Sequence, residues 1–257
     1  FITEVWQIYL AIFLLQTASA TFTPTFQATI PDVLADEDDY SRALSLSRLA
    51  YDLENLISPA LAGILLLLMS YHWLFGGTVV GFAFSALLIL GTVLPHRKPT
   101  KSRPFRERLT RGVHIYLATP RLRGLLALTL TAAAASAFVI VNTVVVVRGG
   151  FGGTDGDVAI ALAAFGGGSM ISALALPGLL KRLSDRPVMM TGATLLTALM
   201  ALQAVFTPTW PAFLLLWALT GLGYSATLTP QGRLLRRSAH SEDRQSVFTA
   251  QFALSHV

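Results

Sequence analysis

Cysteine is absent from all 257 residues, which excludes disulfides and thiolate metal sites. Charge is scarce as well. Only 13% of residues are Asp, Glu, Lys or Arg, against about a quarter in a soluble domain. The five histidines (His72, His96, His114, His240 and His256) all fall near the ends of the long apolar runs, between them or at the chain end. Neither a zinc site nor a Ser and His pair can therefore be assembled inside those runs, so no metal, cofactor or enzymatic chemistry is expected. The lysines Lys98, Lys101 and Lys181 also lie outside them, which removes the buried amine that a retinal-type receptor needs for its Schiff base.

What the chain has in abundance is apolar length. Hydrophobic residues make up 53% of it. Seven stretches, roughly 5–30, 43–69, 73–94, 124–147, 158–180, 188–206 and 211–228, each approach or exceed the ~20 residues that carry a helix across a bilayer. Consecutive spans force their connections to alternate between two aqueous faces. All but Arg148 of the 19 Lys and Arg residues then fall on one face. That face is cytoplasmic by the positive-inside rule. The net charge of +5 thus reports topology, and no nucleic-acid partner is implied. The expected fold class is an all-α polytopic membrane protein with seven complete transmembrane helices. The lipid bilayer is its first partner and a bacterial inner membrane its location.

The basic segment 95–123 divides the spans into three before (1–94) and four after (124–257). It carries Arg97, Lys98, Lys101, Arg103, Arg106, Arg108 and Arg111, and then Phe105, Leu109, Val113 and Tyr116 at helical spacing. An amphipathic helix lying on an anionic inner leaflet is the expectation, with a solvated charged linker as the alternative. Thr21-Phe22-Thr23-Pro24 ends the first span and Thr227-Leu228-Thr229-Pro230 the seventh. Each is followed by acidic residues and an Arg (Arg42, Arg244). The echo points to two parallel halves. With six spans to each half, the chain is expected to run from a fourth helix into an eleventh, of which 248–257 would be the beginning.

The residues at the first junction resemble a known family. Phe22-Thr-Pro-Thr-Phe-Gln-Ala-Thr-Ile-Pro-Asp-Val-Leu34, with acidic residues and Arg42-Ala-Leu beyond, is similar to the helix four to five junction of major facilitator superfamily (MFS) exporters, the drug and siderophore branch in particular. Ser58-Pro59-Ala60-Leu61-Ala62-Gly63 resembles that superfamily's helix-five antiporter motif, although Ser58 and Ala62 replace its usual glycines. Asp185-Arg186 stands where the loop between helices eight and nine carries an Asp-Arg motif, of which only this centre is kept. The resemblance implies outward transport of a small organic molecule, coupled to proton entry, by two halves rocking about a midplane site.

Charge inside a membrane is costly and therefore marks candidate sites. In the second stretch Arg48, Tyr51, Asp52, Asn55, Ser58 and Pro59 fall within about 100° of a helical wheel, and Glu54 widens the arc to about 160°. Arg48 and Asp52 are spaced to pair. They read either as a proton-coupling or gating pair or as an ordinary ion pair on a protruding helix end. Glu54 is the deeper carboxylate and the favoured protonatable group. Gln16, Asn142 and Tyr224 are candidates for a substrate path. Most other hydroxyls and the glycines at 166–168, 221 and 223 are expected to serve helix contacts. The loops around Asp185-Arg186 and Arg244 are expected to latch the cytoplasmic side through ion pairs. A membrane permease subunit of an ATP-driven transporter, or a non-transporting receptor, is the competing function. Arg148-Gly-Gly-Phe-Gly-Gly lacks the Gly-Lys-Ser/Thr ending of a phosphate loop and reads as an outer-face loop.

Overall fold

The computed structural model describes residues 4–91, 105–205 and 209–255; the side chains of 55–60, 62–64, 66, 67, 71, 105–109 and 204 lie outside the description. All the regular structure described is helical. In chain order the helices are α1 (Val5–Val33), α2 (Glu37–Leu68), α3 (Tyr71–Leu90), α4 (Phe105–Ala118), α5 (Pro120–Val145), α6 (Asp155–Leu179), α7 (Asp185–Val205), α8 (Trp210–Leu228), α9 (Gln231–Ser238) and α10 (Arg244–Ser255). The seven expected stretches coincide with α1, α2, α3, α5, α6, α7 and α8. Among the described residues five segments are both long and apolar enough to cross a membrane: Val5–Val33, His72–Leu90, Pro120–Gly150, Asp155–Leu179 and Trp210–Ser238.

Helix boundaries follow local chemistry. The Asp36 side chain caps α2 by accepting from the backbone N–H groups of Asp38 and Asp39. Glu37, Asp38 and Asp39 fill its first turn, where the helix dipole favours negative charge. Thr154 and Asp157 form a capping box on α6. The glycine-rich connection before it is ordered: Val146–Gly150 forms a π-helical turn. Gly152 has φ +65°, a left-handed conformation that glycine takes without steric cost. In α1 the hydroxyls of Thr17, Thr21, Thr25 and Thr29 each donate to the carbonyl four residues earlier at 2.7–2.9 Å. That threonine stripe is satisfied within its own helix.

Packing is tightest between α6 and α8. A Cβ on Gly168 would stand 1.8 Å from the Ala218 carbonyl oxygen, and one on Gly221 1.8 Å from that of Phe165. Glycine lets α6 and α8 touch backbone to backbone, as small residues do between membrane helices. Gly223 likewise meets Gly192 of α7. Gly166 and Gly167 have nothing within 4 Å of such an atom, so only part of the glycine run serves that contact. Farther along, Phe213 packs against Trp217 with the rings tilted and their centroids 4.0 Å apart, and the Trp217 indole donates to the buried Thr143 hydroxyl of α5 at 2.8 Å.

The linker helix α4 corrects one expectation. Val113 and Tyr116, the described part of its apolar stripe, pack on protein. Gly112 packs so closely on the Ser246 backbone that a Cβ would lie 2.0 Å from its oxygen. Val113 and the fully buried Tyr116 join a cluster with Leu122, Leu125, Val247 and Phe248. Tyr116 donates to Gln251, whose amide reaches Thr129 of α5. Arg111 grips Asp243 with two hydrogen bonds of 2.5 and 2.8 Å. α10 offers this stripe a dry, hydrogen-bonding partner, which a lipid surface does not. The side chains of Phe105 and Leu109, also expected on that stripe, are outside the description.

Candidate functional site

Two charge clusters stand out, and both join helices distant in sequence. The first lies along the middle of α2. Arg48 and Asp52 are four residues apart and pair at 2.9 Å (Nη2 to Oδ1). Asp52 is only 6% exposed. The fully buried Ser169 of α6 donates its hydroxyl to Asp52 Oδ2, and Arg48 Nε lies 3.4 Å from the same hydroxyl oxygen. The guanidinium of Arg48 sits 4.5 Å from the centre of the Tyr224 ring of α8, and 5.5 Å from that of Tyr51 on its own helix. Tyr224 in turn packs against Phe165 of α6. A carboxylate, a guanidinium, a hydroxyl and aromatic faces thus satisfy one another, which lowers the cost of charge away from water.

Glu54, the carboxylate expected to be the buried one, is exposed. The reason is angular. Two residues correspond to about 200° around a helix, so turning Asp52 toward α6 turns Glu54 away. Gln16 is exposed on α1. Asn142 is half-buried, and its amide donates to the Phe138 carbonyl of its own helix at 3.1 Å. Of the substrate-path candidates, Tyr224 is the one joined to the Arg48–Asp52 pair. Ser58, Pro59 and Gly63 fall within α2, but their side chains lie outside the described residues.

The second cluster gathers the ends of several helices. Asp185, at the first turn of α7, is 2% exposed and is held by Arg233 of α9 at 2.8 Å and by Arg237 at 2.6 Å. The same two arginines reach Glu37 at the start of α2, Arg233 at 2.9 Å. Arg233 also donates to Ser41. Around this core Lys181 pairs with Asp38 at 2.7 Å, and Arg244 with Asp32 of α1. Arg236 donates to the carbonyls of Leu34 and Ala35 and lies 5.2 Å from the centre of the Tyr40 ring. Burial pushes the Tyr40 phenol up to about 12, so it stays neutral beside that arginine. The hydrogen bond from Lys181 holds the Asp38 carboxyl below the usual carboxylate range. Arg186, expected to act with Asp185, is exposed.

Sequence patterning missed Ser169, Arg233, Arg237 and Glu37 as site residues. The signal for Ser169 was the preceding run Gly166-Gly167-Gly168, which marks where α6 approaches a neighbour closely. The two arginines had registered only as topology charges. Their partners lie 52 and 200 or so residues away in the chain, beyond any spacing rule.

Neither the curated proteins nor the solved structures give a match to the chain. A family model described as transmembrane secretion effector matches residues 1–232. That match agrees with a multi-pass bundle of apolar helices tied together by sparse internal charges, and the chain belongs to the transmembrane secretion effector family of MFS-type transporters.

Proposed function

We propose that the protein is a proton-coupled secondary exporter of a small organic solute, of the drug and siderophore type, in a bacterial inner membrane. In this reading α1, α2, α3, α5, α6, α7 and α8 all span. The first three belong to one half (1–94), and the last four, with α9 and α10, to the other (124–257). The segment 95–123 is the cytoplasmic linker.

The observation that carries the reading is the buried Arg48–Asp52 pair and its bond to Ser169. It supports the reading because α2 and α6 are assigned to different halves, so a change in the charge of Asp52 would alter the attraction between them. The cluster around Asp185 and the Arg244–Asp32 pair act as a latch between the halves on the cytoplasmic side. Tyr224, beside Arg48, lines the substrate path, with Asn142 and Gln16 as its further candidates. An ATP-driven permease would need a docking helix for its ATPase. The helix suited to that, α4, has Arg111, Gly112 and Tyr116 committed to α10, which supports the secondary-transport reading.

The test uses the intact protein in proteoliposomes under an imposed proton gradient, recording efflux of the lipophilic dye ethidium. Wild type and Glu54→Gln should export the dye in proportion to the gradient, and Asp52→Asn should lose that dependence. Gradient-driven efflux at the wild-type rate in Asp52→Asn would remove Asp52 from the coupling.

A further inference from the structure

Ser169 occupies an unusual position in the molecule. It is fully buried, its hydroxyl donates to Asp52, and the same oxygen faces Arg48 Nε. Its own backbone is part of the tightest helix contact. A Cβ on Gly221 would fall 3.0 Å from the Ser169 nitrogen, and the preceding Gly168 lies against Ala218. Ser169 therefore cannot shift toward or away from α2 without moving the α6–α8 crossing, because backbone packed on backbone leaves no side chain to absorb the displacement.

The hydroxyl also responds to charge. A carboxylate without its proton is a pure acceptor and holds an O–H donor strongly. A protonated carboxyl offers its own O–H, which competes with that donor and weakens the attachment. We propose that Ser169 is the positioning residue of the coupling centre: it holds charged Asp52 seated against α6, and its release when Asp52 takes up a proton frees α2 from the α6–α8 crossing. This rests on the proton-coupled reading above and assigns the residue through which the second half of the molecule senses the proton.

Among the described residues few other groups compete for that role. From its own helix Asp52 is faced by Arg48, with Tyr51 beside that guanidinium, while Glu54 points away. α6 carries its charged residues, Asp155 and Asp157, at its opposite end, more than ten residues from Ser169. α8 contributes Tyr224, packed on Arg48. α3 has Tyr71 and His72 at its start, and the arginines of α9 are engaged with Asp185, Glu37 and the end of α1.

The experiment is a pH titration of the protonated-carboxyl infrared band of the intact protein in lipid vesicles, with Asp52→Asn identifying the Asp52 component. It needs no knowledge of the substrate. Losing a hydrogen bond to the charged form should move the midpoint of that component up by about one pH unit in Ser169→Ala. Ser169→Thr, which keeps the hydroxyl, should restore it. Should Ser169→Ala fail to insert, Ser169→Cys keeps the volume with a weaker donor, and an upward displacement in the same direction is expected. An unchanged midpoint in the variant that inserts overturns the assignment while leaving Asp52 as the coupling group. The absence of any Asp52 component that titrates in wild type overturns both.

Discussion

The two charge clusters solve the same physical problem in opposite ways. Along the middle of α2, Arg48 and Asp52 neutralise each other within one helix, and a single hydroxyl and one aromatic ring from elsewhere complete the site. At the helix ends, Asp185 has no partner on its own helix and depends on Arg233 and Arg237, which are shared with Glu37. The first site is locally neutral and takes a hydroxyl from α6 and a ring from α8. The second exists only while several helices stay together. A local pair suits a group that changes charge within an intact fold, whereas a shared network suits a contact that forms and breaks as a unit.

Breaking the shared network should give the largest effect. Arg233→Ala leaves the buried Asp185 with Arg237 alone and removes the donor to Ser41. A loss of about 3–5 kcal/mol is expected, as for buried pairs that lose one partner, read as a lowered unfolding midpoint in detergent. Asp52→Asn should cost less, because an amide oxygen still accepts from Ser169 and the Arg48 guanidinium keeps its aromatic faces. Comparable destabilisation by the two substitutions would erase the distinction between the clusters.

The packing that brings Ser169 to Asp52 can be probed separately. Gly221→Ala drives a methyl into the Phe165 carbonyl and should destabilise by roughly 1–3 kcal/mol or more, whereas Gly166→Ala, with open space around it inside a helix, should leave stability unchanged or raise it by up to about 1 kcal/mol. Equal effects in a thermal melt would mean that the α6–α8 contact does not set the site.

The smallest effect should come from the rim. Asp38 is half-exposed, and its carboxyl is held low chiefly by the hydrogen bond from Lys181. For a carboxyl held below its ordinary value, the contribution is present above that value and is lost as pH falls through the lowered one. Lys181→Met should therefore lower the melt slightly at neutral pH, as loss of a surface pair does. The difference should vanish in acid as pH falls through the lowered value, where wild type loses what the variant never had. A loss at pH 7 as large as that of Arg233→Ala would promote this pair from rim to latch.

Much of this architecture was legible beforehand. The seven apolar stretches coincide with seven long helices, and the Arg48 and Asp52 spacing gave their pairing directly. The apolar spacing of Val113 and Tyr116 is legible, but their partner on α10 is not: periodicity reveals that a face must be covered and says nothing of what covers it. Depth along a helix can be counted in residues and favours Glu54, while the rotation of that helix in its bundle, which buries Asp52 instead, cannot be counted.

By itself the sequence determined the helical membrane character and the approximate positions of the long helices. These properties follow from runs of neighbouring side chains and their transfer between water and lipid. Only the tertiary structure decided that Asp52 is the buried carboxylate, that Ser169 reaches it, and that Asp185 belongs to Arg233 and Arg237. Each depends on how closely two helices approach and how each is rotated. At Gly168 and Gly221 that approach is set by the absence of a side chain, whose consequence appears only when another backbone arrives to fill the space.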